Sequence, residues 1–196
     1  MVTKQATEQR FVETMTQWLA SLPHDLKILY EAMDDENLAR PARELAVGAI
    51  VYTVTPHDFV SDRRDSFVGF SDDCIVVRLA LRQVVSKNDE DTEAFKQRFP
   101  EFFDGLDESL LVCEQVMGDL YTWLAGKVGT LGTREYKGKK IKQYLEDEEA
   151  RETLYEDGLA FRTEYPGDEE TLSDKRKKAS TITDVMRRRK AEEGPA

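Results

Sequence analysis

Hydrophobic positions recur at helical spacing along most of the chain. Phe11, Met15, Trp18, Leu19 and Leu22 share one face of a helix over residues 3 to 20. Pro23 interrupts that pattern, and a second short helix around Leu26, Leu29, Tyr30 and Met33 runs into the acidic stretch Asp34 to Glu36. A third helix is expected from Pro41, a residue tolerated in a first helical turn, to about Val54. It is apolar nearly all round, so it belongs at the centre of the fold.

Regular structure breaks between Thr55 and Ser71, where Pro56, the charged segment 61 to 66 and Gly69 fall together. From about Asp72 to Ser86 the pattern again predicts a helix, with Ile75, Val76, Leu79, Val84 and Val85 apolar and Arg78 and Arg82 four apart. Its β-branched content would also suit a buried strand, but it is longer than a typical strand and no alternating partner lies nearby. After a polar linker at 87 to 91, a short helix around Phe95 and Phe99 meets Pro100, and a longer one spans about Asp107 to Val128. The four glycines between Gly126 and Gly138 predict a loop, and a charged helix follows from about Lys139 to Tyr165. No internal repeat is visible. The expected fold is all-α: a bundle of about six or seven helices in one domain over residues 1 to 165, centred on an apolar hairpin at 41 to 86.

Beyond Pro166 the hydrophobic content collapses, so residues 166 to 196 are expected to form a flexible charged tail with a transient helix at Ile182 to Lys190. The tail changes the reading of charge. The chain carries a formal −11, yet residues 174 to 190 hold eight basic residues against two acidic ones, which leaves residues 1 to 173 at −15. A body that acidic repels phosphate backbones and anionic headgroups, so only the tail is suited to nucleic acid, and weakly. Hydrophobic residues make up 40% and charged residues 34%, against roughly 45–50% and about 25% in average domains, as expected of a folded core plus a solvated segment. Cys74 and Cys113 sit in apolar helical patterns with no paired spacing, and read as buried thiols of a reducing compartment. The first residues have no signal-like apolar core and no run is long enough to cross a bilayer, so the expected location is cytoplasmic.

Within the central hairpin, Tyr52, Thr55-Pro56, Asp58, Asp62, Gly69-Phe70 and Asp72-Asp73 precede an apolar helix. In this order residues 41 to 86, about a quarter of the chain, resemble the YkvA-like family of small helical domains. Ser61 departs from the Pro of that pattern, and Arg63, Arg64 and Asp65 from its apolar connector. The resemblance implies a helical hairpin and no established activity. Many members look membrane-associated through this hairpin, whereas Arg78, Arg82 and the polar connector here imply a water-soluble version. Read physically, Thr55, Pro56 and Asp58 have the spacing of a capping box, and Ser71, Asp72 and Asp73 suit the start of the next helix, where carboxylates meet its positive end.

Asp58, Asp62, Asp72 and Asp73 are the candidate ligands for a hard cation, although their spacing matches no EF-hand loop and capping is the plainer role. No zinc spacing, nucleophile elbow or phosphate loop is present; a Ser/His/Asp or Cys/His set would have to assemble in space, and neither a catalytic residue nor a cofactor is expected. Arg134, Lys137, Lys139, Lys140 and Lys142 read as a solvated basic loop and helix start that can also meet an acidic partner or the protein's own acidic face. The expected partner-binding residues are Ile182, Val185 and Met186, followed by Arg187, Arg188, Arg189 and Lys190, which together offer a small apolar patch with a basic end. The expected function is a non-enzymatic protein-binding or regulatory role through the acidic surface, the tail or both, with a metal-dependent or cryptic enzyme using Asp58 to Asp73 as the alternative. An acidic body joined to a basic tail also permits self-association or autoinhibition.

Overall fold

The computed structural model describes residues 4–55, 69–165 and 182–193. The architecture is all-α, with one small two-stranded hairpin. Helix α1 (Lys4–Asp34), α2 (Arg40–Val54) and α3 (Ser71–Val84) pack on one another in pairs and form the centre. Around them lie α4 (Glu90–Gln97), α5 (Pro100–Phe103), α6 (Leu106–Met117), α7 (Asp119–Val128) and α8 (Glu148–Glu164), with α9 (Ile182–Glu193) following.

The central hairpin matches expectation. Helix α2 carries Pro41 in its first turn and is buried continuously from Leu45 to Thr53, as an all-round apolar helix must be. Helix α3 is a helix and not a strand, with an apolar run from Cys74 to Val77 fully buried.

Three boundaries differ from the sequence reading. Residues 4 to 34 form one helix that continues through Pro23. Proline lacks the N–H that would bond the carbonyl four residues earlier, here that of Leu19, and the Tyr165 hydroxyl donates to that oxygen at 2.6 Å instead. The helix expected over 107–128 is two, α6 and α7, broken at Gly118, whose φ of 57° and ψ of −119° belong to a region open to glycine. The charged helix expected from Lys139 begins only at Glu148, where the Asp147 carboxylate caps it by accepting from the Ala150 amide at 3.1 Å.

The segment before α8 is more ordered than a glycine loop. Leu131–Thr133 and Ile141–Leu145 form 3-10 turns, and β1 (Glu135–Tyr136) pairs antiparallel with β2 (Lys139–Lys140). Leu131 and Ile141 are fully buried, which ties the hairpin to the core. Two of its basic residues turn to the protein's own acidic groups: Lys137 pairs with Asp157 at 2.8 Å and Lys139 with Asp147 at 2.6 Å.

Candidate functional site

Among the described residues, two regions carry chemistry beyond core packing: the face of α7 that receives α9, and a cleft beside α1. The sequence pointed to the first through its tail residues and missed the second.

Helix α9 places Ile182, Met186 and Lys190 four residues apart, on one face. Ile182 and Met186 are 0% and 1% exposed and join the hydrophobic core, with α9 packed against α7. At the next turn the Lys190 ammonium meets the Asp119 carboxylate, in the first turn of α7, at 2.5 Å. That hydrogen bond and charge hold the Asp119 carboxyl below its ordinary range. Arg187 is exposed and pairs within its own helix, with Asp184 at 3.1 Å. Val185, Arg188 and Arg189 lie on the same helix, but their side chains fall outside the described residues. The apolar patch expected to await a partner is therefore seated on this chain.

Of the acidic residues expected to cap helices or hold a cation, Asp58 and Asp62 lie outside the described residues, as does the turn that Thr55 was expected to open. Thr55 itself ends α2, and its hydroxyl donates back to the Val51 carbonyl at 2.5 Å. Helix α3 begins at Ser71, one residue earlier than a Ser71 cap requires, and the residue at its N-cap, Phe70, supplies no side-chain hydrogen bond. Asp72 and Asp73 do occupy its first turn, as expected from the dipole argument, but both are buried. The Tyr52 hydroxyl donates to Asp72 at 2.6 Å, so this carboxylate joins α2 to α3. The Arg134 guanidinium stacks over the Tyr52 ring at 4.9 Å. Among the described residues, no group of three His, Cys, Asp or Glu side chains is arranged to hold a metal ion, and no helix is long and apolar enough to cross a membrane.

The second region is built on a buried ion pair. Arg78 of α3 and Asp25 of α1 meet at 2.7 Å, with side chains 4% exposed on each side. Ser21, one turn before Asp25, donates to the same carboxylate at 2.8 Å and accepts from Arg78 at 2.9 Å. The guanidinium also donates to the Cys74 carbonyl at 3.1 Å and lies over the Trp18 ring at 4.2 Å. Trp18, Ser21 and Asp25 follow helical spacing, which presents all three to Arg78. Burial pushes the Asp25 carboxyl above its ordinary value, and the Arg78 charge and the Ser21 hydrogen bond oppose that rise. The pair forms one wall of a cleft of about 310 Å³ that Phe102, Glu101 and Asp104 also line. The sequence held one signal of this site: Asp25 interrupts the apolar face between Leu22, Leu26 and Leu29, where a charge requires a buried partner.

No protein-family model, curated protein or solved structure matches this chain.

Proposed function

We propose that this chain is a non-enzymatic binding protein whose acidic helical body accepts a basic amphipathic helix of a protein partner on the α7 face, with its own α9 as the resident competitor. The observation that carries this reading is the seating of α9, in which Ile182 and Met186 are buried and Lys190 is paired with Asp119. An amphipathic helix laid into a groove and anchored at i and i+4 is a recurring mode of peptide recognition. The −15 charge of residues 1 to 173 favours approach of a cationic helix.

The energetics suit a reversible contact. A helix of 12 residues is marginal alone in water. The two buried anchors contribute roughly 1.5–3 kcal/mol each, and an ion pair between exposed groups adds little because water and salt screen it. Docking therefore depends on those few anchors, and a competing helix with a better set of them displaces α9. The YkvA-like reading of residues 41 to 86 belongs to the same proposal, since that family implies no established activity and the hairpin would then serve as scaffold.

The test is fluorescence anisotropy with a labelled peptide of residues 174 to 193, titrated with the full chain and with a chain ending at Ser173. The shortened chain should bind saturably, more weakly at high salt, and the full chain about tenfold less tightly because α9 competes from within. Absence of binding to a shortened chain that circular dichroism shows to be folded would overturn the reading, as would equal binding to both chains.

A further inference from the structure

Helix α8 carries an exposed stripe that the described residues leave uncovered. The helix buries Ala150, Leu154 and Gly158, which repeat every four residues. On the flank beside that face, Glu152, Tyr155, Leu159 and Arg162 follow at spacings of three, four and three, the seam pattern of paired helices, and all four are exposed. Leu159 is 64% exposed and Tyr155 39%; among the described residues the other large hydrophobic side chain so exposed is Leu111, on α6. Tyr155 is held in place, since its ring stacks on Tyr30 at 4.8 Å and its hydroxyl donates to Asp34. The open part of that ring is therefore presented in a fixed orientation, which lowers the ordering cost of any contact it makes.

Charge then selects the occupant. The stripe has two apolar residues at its middle, an acid at one end and a base at the other, and among the described residues neither Glu152 nor Arg162 makes an ion pair. They stand about 15 Å apart along the helix axis, too far to pair with each other. Two copies of α8 laid antiparallel, about a two-fold axis level with residue 157, satisfy every position. Tyr155 of each copy then meets Leu159 of the other, and Glu152 of each meets Arg162 of the other. A parallel pair would set Glu152 on Glu152 and Arg162 on Arg162, and like charges there oppose association. We infer that this stripe is a self-association surface, through which two copies of the chain pair their α8 helices antiparallel in a two-fold dimer. Two apolar anchors per copy fall short of a standard interface of roughly 1,600 Å², and the −11 charge of each copy opposes approach, so the dimer is weak and reversible. The stripe uses none of the α7 and α9 surface, so it stands or falls independently of the proposed partner helix.

Sedimentation equilibrium of the full chain, at concentrations up to about 1 mM, tests the inference. The chain should show a reversible monomer–dimer equilibrium. Leu159→Glu should weaken it by about tenfold or more, whereas Leu111→Glu, the same change at the exposed leucine of α6, should leave it unaltered. Glu152→Arg or Arg162→Glu alone sets like charges together at both ends of the pair, and each should weaken association by about tenfold. The double variant Glu152→Arg/Arg162→Glu should restore it, as should an equimolar mixture of the two single variants, because the charges match again only between copies. All of these positions are exposed, so the variants keep the core intact. The inference is overturned by a chain that stays monomeric throughout, by a dimer that Leu159→Glu leaves unchanged, as one built on α9 would be, by equal weakening in the Leu111→Glu control, or by a double charge variant that does not recover.

Discussion

The hydroxyl of Tyr165 donates to the carbonyl oxygen of Leu19 at 2.6 Å, across 146 residues of sequence, and that carbonyl is the one Pro23 leaves without its helical donor. The proline and the tyrosine therefore act as a pair. Tyr165 sits just past the end of α8, 9% exposed, with its ring against Phe70 and Phe161. One hydroxyl thus closes the gap in α1 and fastens the end of α8 to the centre of the fold.

Replacing Tyr165 by Phe should destabilise the protein by about 1–3 kcal/mol, because a buried carbonyl loses its donor. The same change made in a Pro23→Ala background should cost clearly less, since alanine at that position restores a backbone N–H to the Leu19 carbonyl. Urea denaturation of the four proteins in this cycle measures the difference, and equal costs in both backgrounds would show that the two residues are not coupled.

Arg78 and Asp25 predict a second cycle. Arg78→Met or Asp25→Leu alone should each cost roughly 3–5 kcal/mol, since either leaves an uncompensated charge 4% exposed. The double variant should recover most of that loss, because two apolar side chains remove the desolvation penalty along with the attraction. Thermal or chemical denaturation reads the outcome, and additive costs would contradict the pairing.

Burial pushes the Cys113 thiol up to about 12 and the Cys74 thiol well above its ordinary value, with the nearby Arg78 charge opposing both shifts. At about pH 8 the thiolate fraction of Cys113 is then on the order of one in ten thousand, and neither sulfur is accessible. Both cysteines should resist a thiol-reactive disulfide reagent in the native protein and react promptly in strong denaturant. Reaction of one equivalent under native conditions would show that a helix carrying one of them opens.

Gly48 lies where α2 crosses the turn at Leu131. A Cβ there would stand 2.5 Å from the Leu131 carbonyl oxygen, a backbone atom with no rotamer to change. Gly48→Ala should therefore destabilise by about 1–3 kcal/mol, although alanine is the better helix former. A gain in melting temperature would show that the two backbones separate freely.

The residue pattern determined the all-α class, the burial of α2 and the helical state of α3, because amphipathic period and length are local properties that packing here reinforces. It also placed a helix at 182 to 190, and the apolar face of that helix was legible from Ile182 and Met186. Only the tertiary structure decided where that face goes, since a stripe states that it needs cover and not which surface supplies it. The same limit governs Pro23 and Asp25. Each breaks a local rule, and each is satisfied by a side chain distant in sequence, Tyr165 for the carbonyl freed by Pro23 and Arg78 for the buried carboxylate. A proline's missing donor and a charge on an apolar face are visible one residue at a time. Whether they break a helix or mark a site depends on partners that only folding brings within hydrogen-bond distance, and so the cleft at Asp25 and the unbroken α1 belong to the tertiary structure.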